Sequence, residues 1–206
     1  FGIIVIAILL VVVTTSWFIV DETEQAVLIT LGKPDPNTIG PGLHFKVPWP
    51  IETVKIVSRE TFSLTLGYEE RNGEIVEHVH DAKMVTGDEN IILADLEVSW
   101  RITDPIAYLY NTADPKRILY NATSASLRGV IGSSSVDDAL TDGRAEIINE
   151  VRANLTELVE KYDLGITIVN VNLQDVDLPN EDVRLAFTKV TDAREERNTK
   201  INEANR

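Results

Sequence analysis

An α+β fold carried behind an apolar membrane segment is predicted by three observations. The first 20 of the 206 residues carry no charge, residues from Gln25 to Arg101 are dominated by two-residue alternation, and helical spacing takes over from Asp114 until a last strand follows Gly165. The expected order is a transmembrane anchor over 1–20, an antiparallel β subdomain over 21–111, an α–α–β subdomain over 112–178, and the start of a long coiled-coil-like helix over 179–206.

The anchor reading rests on length and purity. Phe1 to Val20 is apolar apart from Thr14, Thr15 and Ser16, whose hydroxyls can bond back to helix carbonyls. At 1.5 Å per residue such a helix crosses the roughly 30 Å hydrocarbon layer of a bilayer. Trp17 and Phe18 fall where an interfacial aromatic belt belongs, and Asp21 with Glu22 ends the run. The run is too long for a signal-peptide core, no small-residue cleavage site follows it, and a buried core helix would show a polar face. The acidic flank (Asp21, Glu22, Glu24), with no base before Lys33, favours an extracytoplasmic domain. Phe1 is no initiator, so the chain is expected to continue beyond that end.

The β region is read from alternation and turns. Ala26 to Leu31 forms an apolar strand ending at Gly32, and Val54–Val57 and Phe62–Leu66 are short strands. Asn72-Gly73 is the preferred pair for a type I′ turn, so Tyr68 to Val79 folds back on itself. Thr86 to Asn90 makes the turn before Asp95–Ile102, whose clean alternation places one face on a core.

Helix signals follow. Asp114-Pro115 is an N-cap with proline at the first helical position, and Ile118, Leu119, Ala122, Ala125 and Val130 recur at helical spacing. Ser135 to Asp138 reads as a capping-box variant. Ile147, Ile148, Val151, Leu155, Leu158 and Val159 form one stripe of a helix from Arg144 to Tyr162. Ile166 to Val176 carries apolar residues on parts of both faces and is expected to be covered on both.

Pro179 opens a last helix at about Asn180. Beyond Val190 its surface is charged or polar, with a narrow seam too thin to hold an isolated helix. Other chains are the expected partners. The candidate assembly residues are Val190, Ala193, Arg194, Glu195, Arg197, Ile201 and Ala204. The pattern stops at Arg206 with no C-cap.

Composition removes several classes of function. A net charge of −14 argues against a grip on nucleic acid or an anionic lipid surface. The absence of cysteine removes thiol catalysis, disulfides and cysteine-based zinc sites. His78-Val79-His80-Asp81 could hold a metal if both imidazoles shared a strand face, but a polar strand edge is the plainer reading. Ser133-Ser134-Ser135 lacks the strand–turn–helix setting of a nucleophile and reads as loop plus helix cap. Arg128 and Arg144 are expected to cap carbonyls or to pair with acids such as Asp138 or Asp142. No catalytic, cofactor or metal residue is assigned. Phe45 to Ile51 contains two prolines and cannot be a central strand. With a Trp and a Phe close in sequence to the anchor, it reads as a loop resting on the bilayer. The candidate membrane-contact residues are therefore Trp17, Phe18, Phe45, Val47 and Trp49.

Several blocks resemble one family. Gly40-Pro41-Gly42-Leu43-His44-Phe45 ahead of Pro48 and Pro50, Ser99 to Pro105 with Tyr108-Leu109-Tyr110, and Thr86-Gly87-Asp88-Glu89-Asn90 are similar to segments of SPFH (band 7) proteins. So are Leu127 to Gly132, Leu140 to Arg144, Tyr162 to Thr167, and Ala193-Arg194-Glu195. The acidic segment Glu69 to Asp81 is longer than in some members. The resemblance implies a regulator and not a catalyst. It would be a membrane scaffold that forms a ring or cage with itself or an HflC-like paralogue around the AAA+ zinc metalloprotease FtsH, with the domain outside the cytoplasm. The alternative is a membrane-bound hydrolase with an unrecognised site.

Overall fold

The computed structural model describes Gly2 and residues 14–71, 73–141 and 143–204. Eleven strands and six helices are distinguished among them. Residues 1 and 3–13, most of the expected anchor, lie outside the described residues. Among the described residues no helix is long and apolar enough to cross a membrane.

The anchor's C-terminal boundary is corrected. Trp17–Val20 is not the end of a helix but strand β1, paired antiparallel with β4 (Gly42–Phe45), with Trp17 opposite Phe45 and Val20 opposite Gly42. Hydropathy alone could not find this break, because the partner strand is distant in sequence. A three-stranded sheet follows in the order β3 (Lys33–Ile39), β2 (Glu24–Thr30), β5 (Glu52–Ser58). Pro34 and Pro36 confine β3 to the edge of that sheet, since neither can donate to a second neighbour.

Four more strands and a single turn come next: β6 (Thr61–Leu66), β7 (Tyr68–Arg71), β8 (Glu74–Glu77), the turn α1 (Val79–Ala82) and β9 (Lys83–Val85). Strands β7 and β8 form the hairpin that Asn72-Gly73 predicts, with Arg71 opposite Glu74. The His78–Asp81 stretch is corrected from a strand edge to the start and body of α1. Strand β10 (Ile91–Ile102) alternates as expected: Ile92, Ala94, Leu96, Val98, Trp100 and Ile102 are buried. It lies between β6 and β11 (Ile166–Asp177), and β9 also pairs with it.

The expectation that Ile166–Val176 is covered on both faces is corrected. Buried positions run Ile166, then Val171 and Leu173, then Val176, while Val169 is exposed. The strand changes phase twice, which puts apolar residues on both parities without burying both faces.

The helices open on side-chain caps; those at Asp114 and Ser135 are the ones the sequence announces, whereas the short helix at Pro105 is not among the expected elements. In α2 (Pro105–Tyr110) the Asp104 carboxylate accepts from the amides of Ile106 and Ala107. In α3 (Pro115–Ser133) Asp114 accepts from Arg117 at 3.0 Å, and in α4 (Val136–Leu140) Ser135 accepts from Asp138 at 3.1 Å. Helices α5 (Arg144–Lys161) and α6 (Glu181–Ala204) complete the chain, with Asn180 capping α6 through the Val183 amide.

Two compact units interleave along the sequence. The first takes residues 1–64, 98–122 and 152–170, and its core includes Ala26, Val27, Trp100, Leu119, Leu155 and Leu164. There Phe62, Trp100 and Tyr108 form a run of tilted ring contacts at 5.0 and 6.2 Å. The second unit takes residues 65–97, 123–151 and 171–206, with Leu66, Ile92, Leu96, Leu127, Ile131 and Val151 in its core.

Candidate functional site

The candidate site in the first unit is one end of its strands. The chain leaves a helical turn at Thr14–Thr15, and the Lys46 amide donates to the Ser16 carbonyl at 2.8 Å. Residues facing each other across an antiparallel pair share a face. The ribbon of β1 and β4 therefore sets Trp17 beside Phe45 and Ile19 beside Leu43 on one side, all four exposed. Phe18 lies on the other side, where its ring meets His44 at 5.7 Å, and His44 Nε2 is 2.9 Å from the Gly40 carbonyl.

Beyond Phe45 the chain turns tightly. The Ile51 amide donates to the Pro48 carbonyl at 3.1 Å around a cis Trp49-Pro50 bond, the backbone of a type VI turn. Glu52 fixes this loop from the sheet: its carboxylate accepts the Val47 amide at 2.7 Å and the Thr30 hydroxyl at 3.4 Å. The Leu31 amide donates to the Ile51 carbonyl, so the tip of the β2–β3 hairpin joins the same end. Leu31 itself is in the left-handed region at φ 49° and is 78% exposed.

Phe45 and Trp49 are 78% and 75% exposed, and Val47 and Ile51 are exposed too. Trp17, Leu31, Phe45, Val47, Trp49 and Ile51 thus leave large apolar surface uncovered at this end, with Ile19 and Leu43 farther along the ribbon. Contiguous patches of this kind mark protein or membrane contacts. Sequence reasoning named Trp17, Phe45, Val47 and Trp49 here, and also Phe18, which the structure turns to the opposite face. It missed Ile19, Leu31, Leu43 and Ile51. A signal was present, because every odd position from Leu43 to Ile51 is apolar. Period-two runs are ordinarily read as facing a core, and this one faces out.

In the second unit the Thr86–Asn90 turn grips the start of α4. Asp88 accepts the Thr86 hydroxyl at 2.6 Å and the Val136 amide at 3.1 Å, and the Gly87 amide donates to the Ser134 carbonyl. The Thr86 hydrogen bond, with smaller help from Asn90 and Val136, holds the Asp88 carboxyl below its usual range despite some opposing desolvation.

The three serines have structural partners. Ser133 and Ser134 hydroxyls donate to the Val130 carbonyl, each at 2.8 Å, and Ser135 is the α4 cap. Arg144 donates to the Leu173 carbonyl at 3.2 Å, whereas Asp142 lies outside the described residues and Arg128 is exposed. His78 stands 3.5 Å from Glu69, His80 faces solvent, and no group of three or more metal-ligating side chains occurs among the described residues.

The candidate assembly residues all lie in α6. Its base is fixed by an Arg184–Asp177 ion pair, and Phe187 is half-buried. A groove of about 270 Å³ lies between this base and Val136, lined by Leu178, Val183, Ala186, Phe187 and Val190. Farther along, Val190, Ala193, Arg197, Ile201 and Ala204 are exposed, and Lys200 pairs with Glu196 at 2.7 Å within the helix.

The profile of the SPFH domain / Band 7 family matches residues 18–206. The chain belongs to this family. Within it, the band 7 domain is 36% identical over 190 residues to protein HflK of Buchnera aphidicola subsp. Schizaphis graminum, covering 92% of this chain and 42% of the relative. It is 34% identical over 198 residues to the modulator of FtsH protease HflK of Escherichia coli K12, covering 96% and 43%. Protein HflK of Borreliella burgdorferi is 28% identical over 204 residues, covering 98% and 65%. This band 7 chain therefore spans less than half the length of the first two relatives.

Proposed function

We propose that this band 7 chain is a membrane-anchored, non-enzymatic scaffold. In this reading it forms a ring or cage with itself or an HflC-like paralogue and thereby regulates an FtsH-type membrane metalloprotease. The observation that carries the proposal is α6. It runs 24 residues, and beyond Phe187 every side chain described along it is exposed. A helix that buries so little against its own chain needs neighbours to be stable. The similarity to a relative named as a modulator of FtsH protease gives the regulated partner its chemistry.

The lipid footing is the second half of the reading. Residues 1–16 belong to a single-pass anchor, and Trp17, Phe45, Val47 and Trp49 rest in the adjoining leaflet while Phe18 braces the ribbon from its other face. Each large apolar side chain moved out of water contributes about 1.5–3 kcal/mol, so several together hold the domain against the surface. The structural engagement of Ser133, Ser134 and Ser135 supports a scaffold over a hydrolase.

The test reconstitutes an FtsH-type protease with a membrane-embedded substrate, with and without the full chain. Turnover of that substrate should change when the chain is present. The chain alone, freed of any FtsH-like ATPase, should leave casein intact. Casein cleavage by the chain alone, or unchanged turnover of the membrane substrate, would sink the proposal.

A further inference from the structure

Two of the first unit's bases, Lys33 and Lys46, sit at its apolar end, while Arg59 sits at the other, its amide on the Thr23 carbonyl. Lys33 opens β3 directly opposite Thr30, beside the Leu31–Gly32 tip, and Lys46 follows Phe45 with its amide on the Ser16 carbonyl. Glu52 is the acid at this end, and its carboxylate is turned inward onto Val47 and Thr30. Asp35, two residues along β3, has its carboxylate on the amide and side chain of Asn37, at 2.9 and 3.1 Å. The remaining acids of this region gather at the other end of the strands. Asp21, Glu22 and Glu24 line an open recess there with Ile19, Val20, Pro41 and Gly42. Glu24 sits opposite Ser58 while Thr30 sits opposite Glu52, so the length of β2 separates the acids from the lysines. Six steps of about 3.3 Å from Glu24 to Thr30 make that separation roughly 20 Å, twice the screening length at 0.1 M salt. The net charge of −14 therefore does not describe the surface beside the apolar patch.

We infer that Lys33 and Lys46 bind anionic phospholipid headgroups around the apolar patch formed by Trp17, Leu31, Phe45, Val47, Trp49 and Ile51. This rests on the membrane reading above and adds the lipid chemistry. The occupant is the bilayer, because the chain enters this end directly from the 16 leading residues, none of which is charged. Lys33 and Lys46 are close chain neighbours of Leu31, Phe45 and Val47, side chains that would enter the leaflet. Lysine stems lie along apolar surface with the charge at phosphate level. A headgroup with a net negative charge satisfies them, and one whose phosphate already has its own cation does so less. The acidic recess at the far end stays in water, which orients the domain on the surface.

The test uses the full chain in vesicles of phosphatidylcholine with one fifth phosphatidylglycerol, bromine being placed on the acyl chains of one lipid or the other. The quenched tryptophan signal that disappears in Trp49→Phe reports the loop. Brominated phosphatidylglycerol should quench that signal as if enriched about fivefold or more over brominated phosphatidylcholine, since each surface lysine is worth about that factor. The enrichment should vanish in the Lys33→Gln/Lys46→Gln double variant and fall with added salt, with quenching by phosphatidylcholine retained. Equal quenching by both lipids, or enrichment that survives the double substitution, overturns the assignment of the lysines. No quenching of the Trp49 signal by either lipid overturns the membrane reading itself.

Discussion

The Glu52 carboxylate holds the Val47 amide at 2.7 Å, and this one contact ties the exposed Lys46–Ile51 loop to the start of β5. With its second oxygen on Thr30, the same side chain links the loop to β2. The loop can therefore present Val47 and Trp49 to the outside without support from a core beneath them.

Glu52→Ala should free this loop while leaving the domain folded. A hydrogen bond of this sort is worth about 1 kcal/mol net, so exchange of the Val47 amide should accelerate about fivefold. Glu52→Gln keeps one carbonyl oxygen and should show a smaller acceleration. Unchanged protection at Val47 in the alanine variant would mean that the loop is held by its turn alone.

Gly165 is the tightest glycine of the first unit. It sits at φ +66°, its carbonyl accepts the amides of Thr103 and Asp104 at 2.9 Å, and an added Cβ would fall 2.2 Å from the Asp104 carbonyl oxygen. The left-handed conformation alone costs a side chain roughly 1–2 kcal/mol, and the backbone collision adds to it. Gly165→Ala should therefore lower the thermal midpoint by several degrees or prevent folding. A melt equal to that of the parent chain would contradict the geometry.

Much of this was legible because it is local. Asp114-Pro115, Ser135 and Asn180 mark helix starts within four residues of themselves, and Asn72-Gly73 specifies its own hairpin. Pairing between distant segments was not legible. Trp17–Val20 becomes a strand because Gly42–Phe45 lies beside it, and nothing within the first 20 residues records that. The same holds for the patch. Leu31 and Ile51 come together through one backbone hydrogen bond between two loops. The two phase changes of β11 depend on what packs against each stretch of it, so its apolar residues were misread as two covered faces.

Acid should weaken the second unit through Asp88. Its folded-state carboxyl titrates below the usual value of 3.8, chiefly because the Thr86 hydroxyl donates to it. The ionised form is thus favoured in the folded chain. Its stabilising contribution is present above the ordinary carboxylate range and is lost as pH falls through the lowered folded value. Asp88→Asn and Thr86→Val should each reduce the slope of stability against pH below about pH 4, the former by removing the titration and the latter by removing its cause. Acid unfolding curves that superimpose on the parent's would refute this role.

The acidic residues following β1 predict where the domain lies. Asp21, Glu22 and Glu24 precede any base after the apolar segment, an arrangement that favours the extracytoplasmic side. Protease added to intact spheroplasts should digest the domain, whereas inverted vesicles should protect it. The reverse pattern would place the domain in the cytoplasm.

Assembly should depend on α6. Val190 and Ile201 are about half exposed, and Ala193 and Ala204 are small enough to let a neighbouring helix approach closely. Arg194, Glu195 and Arg197 give such a contact charges of both signs, but exposed pairs are worth only about 0.2–1 kcal/mol each, so many copies must act together in a closed ring. Truncation after Asn180 removes the helix and its groove-lining residues. It should leave a folded monomer or small oligomer, seen as smaller particles after detergent extraction. Ala193→Pro is the finer test. Proline within a helix costs about 3 kcal/mol and removes a backbone donor, yet Ala193 is exposed and is no part of a buried core. Loss of large particles with an unchanged domain melt would locate assembly in this helix. Rings that survive both changes would move assembly onto the folded units.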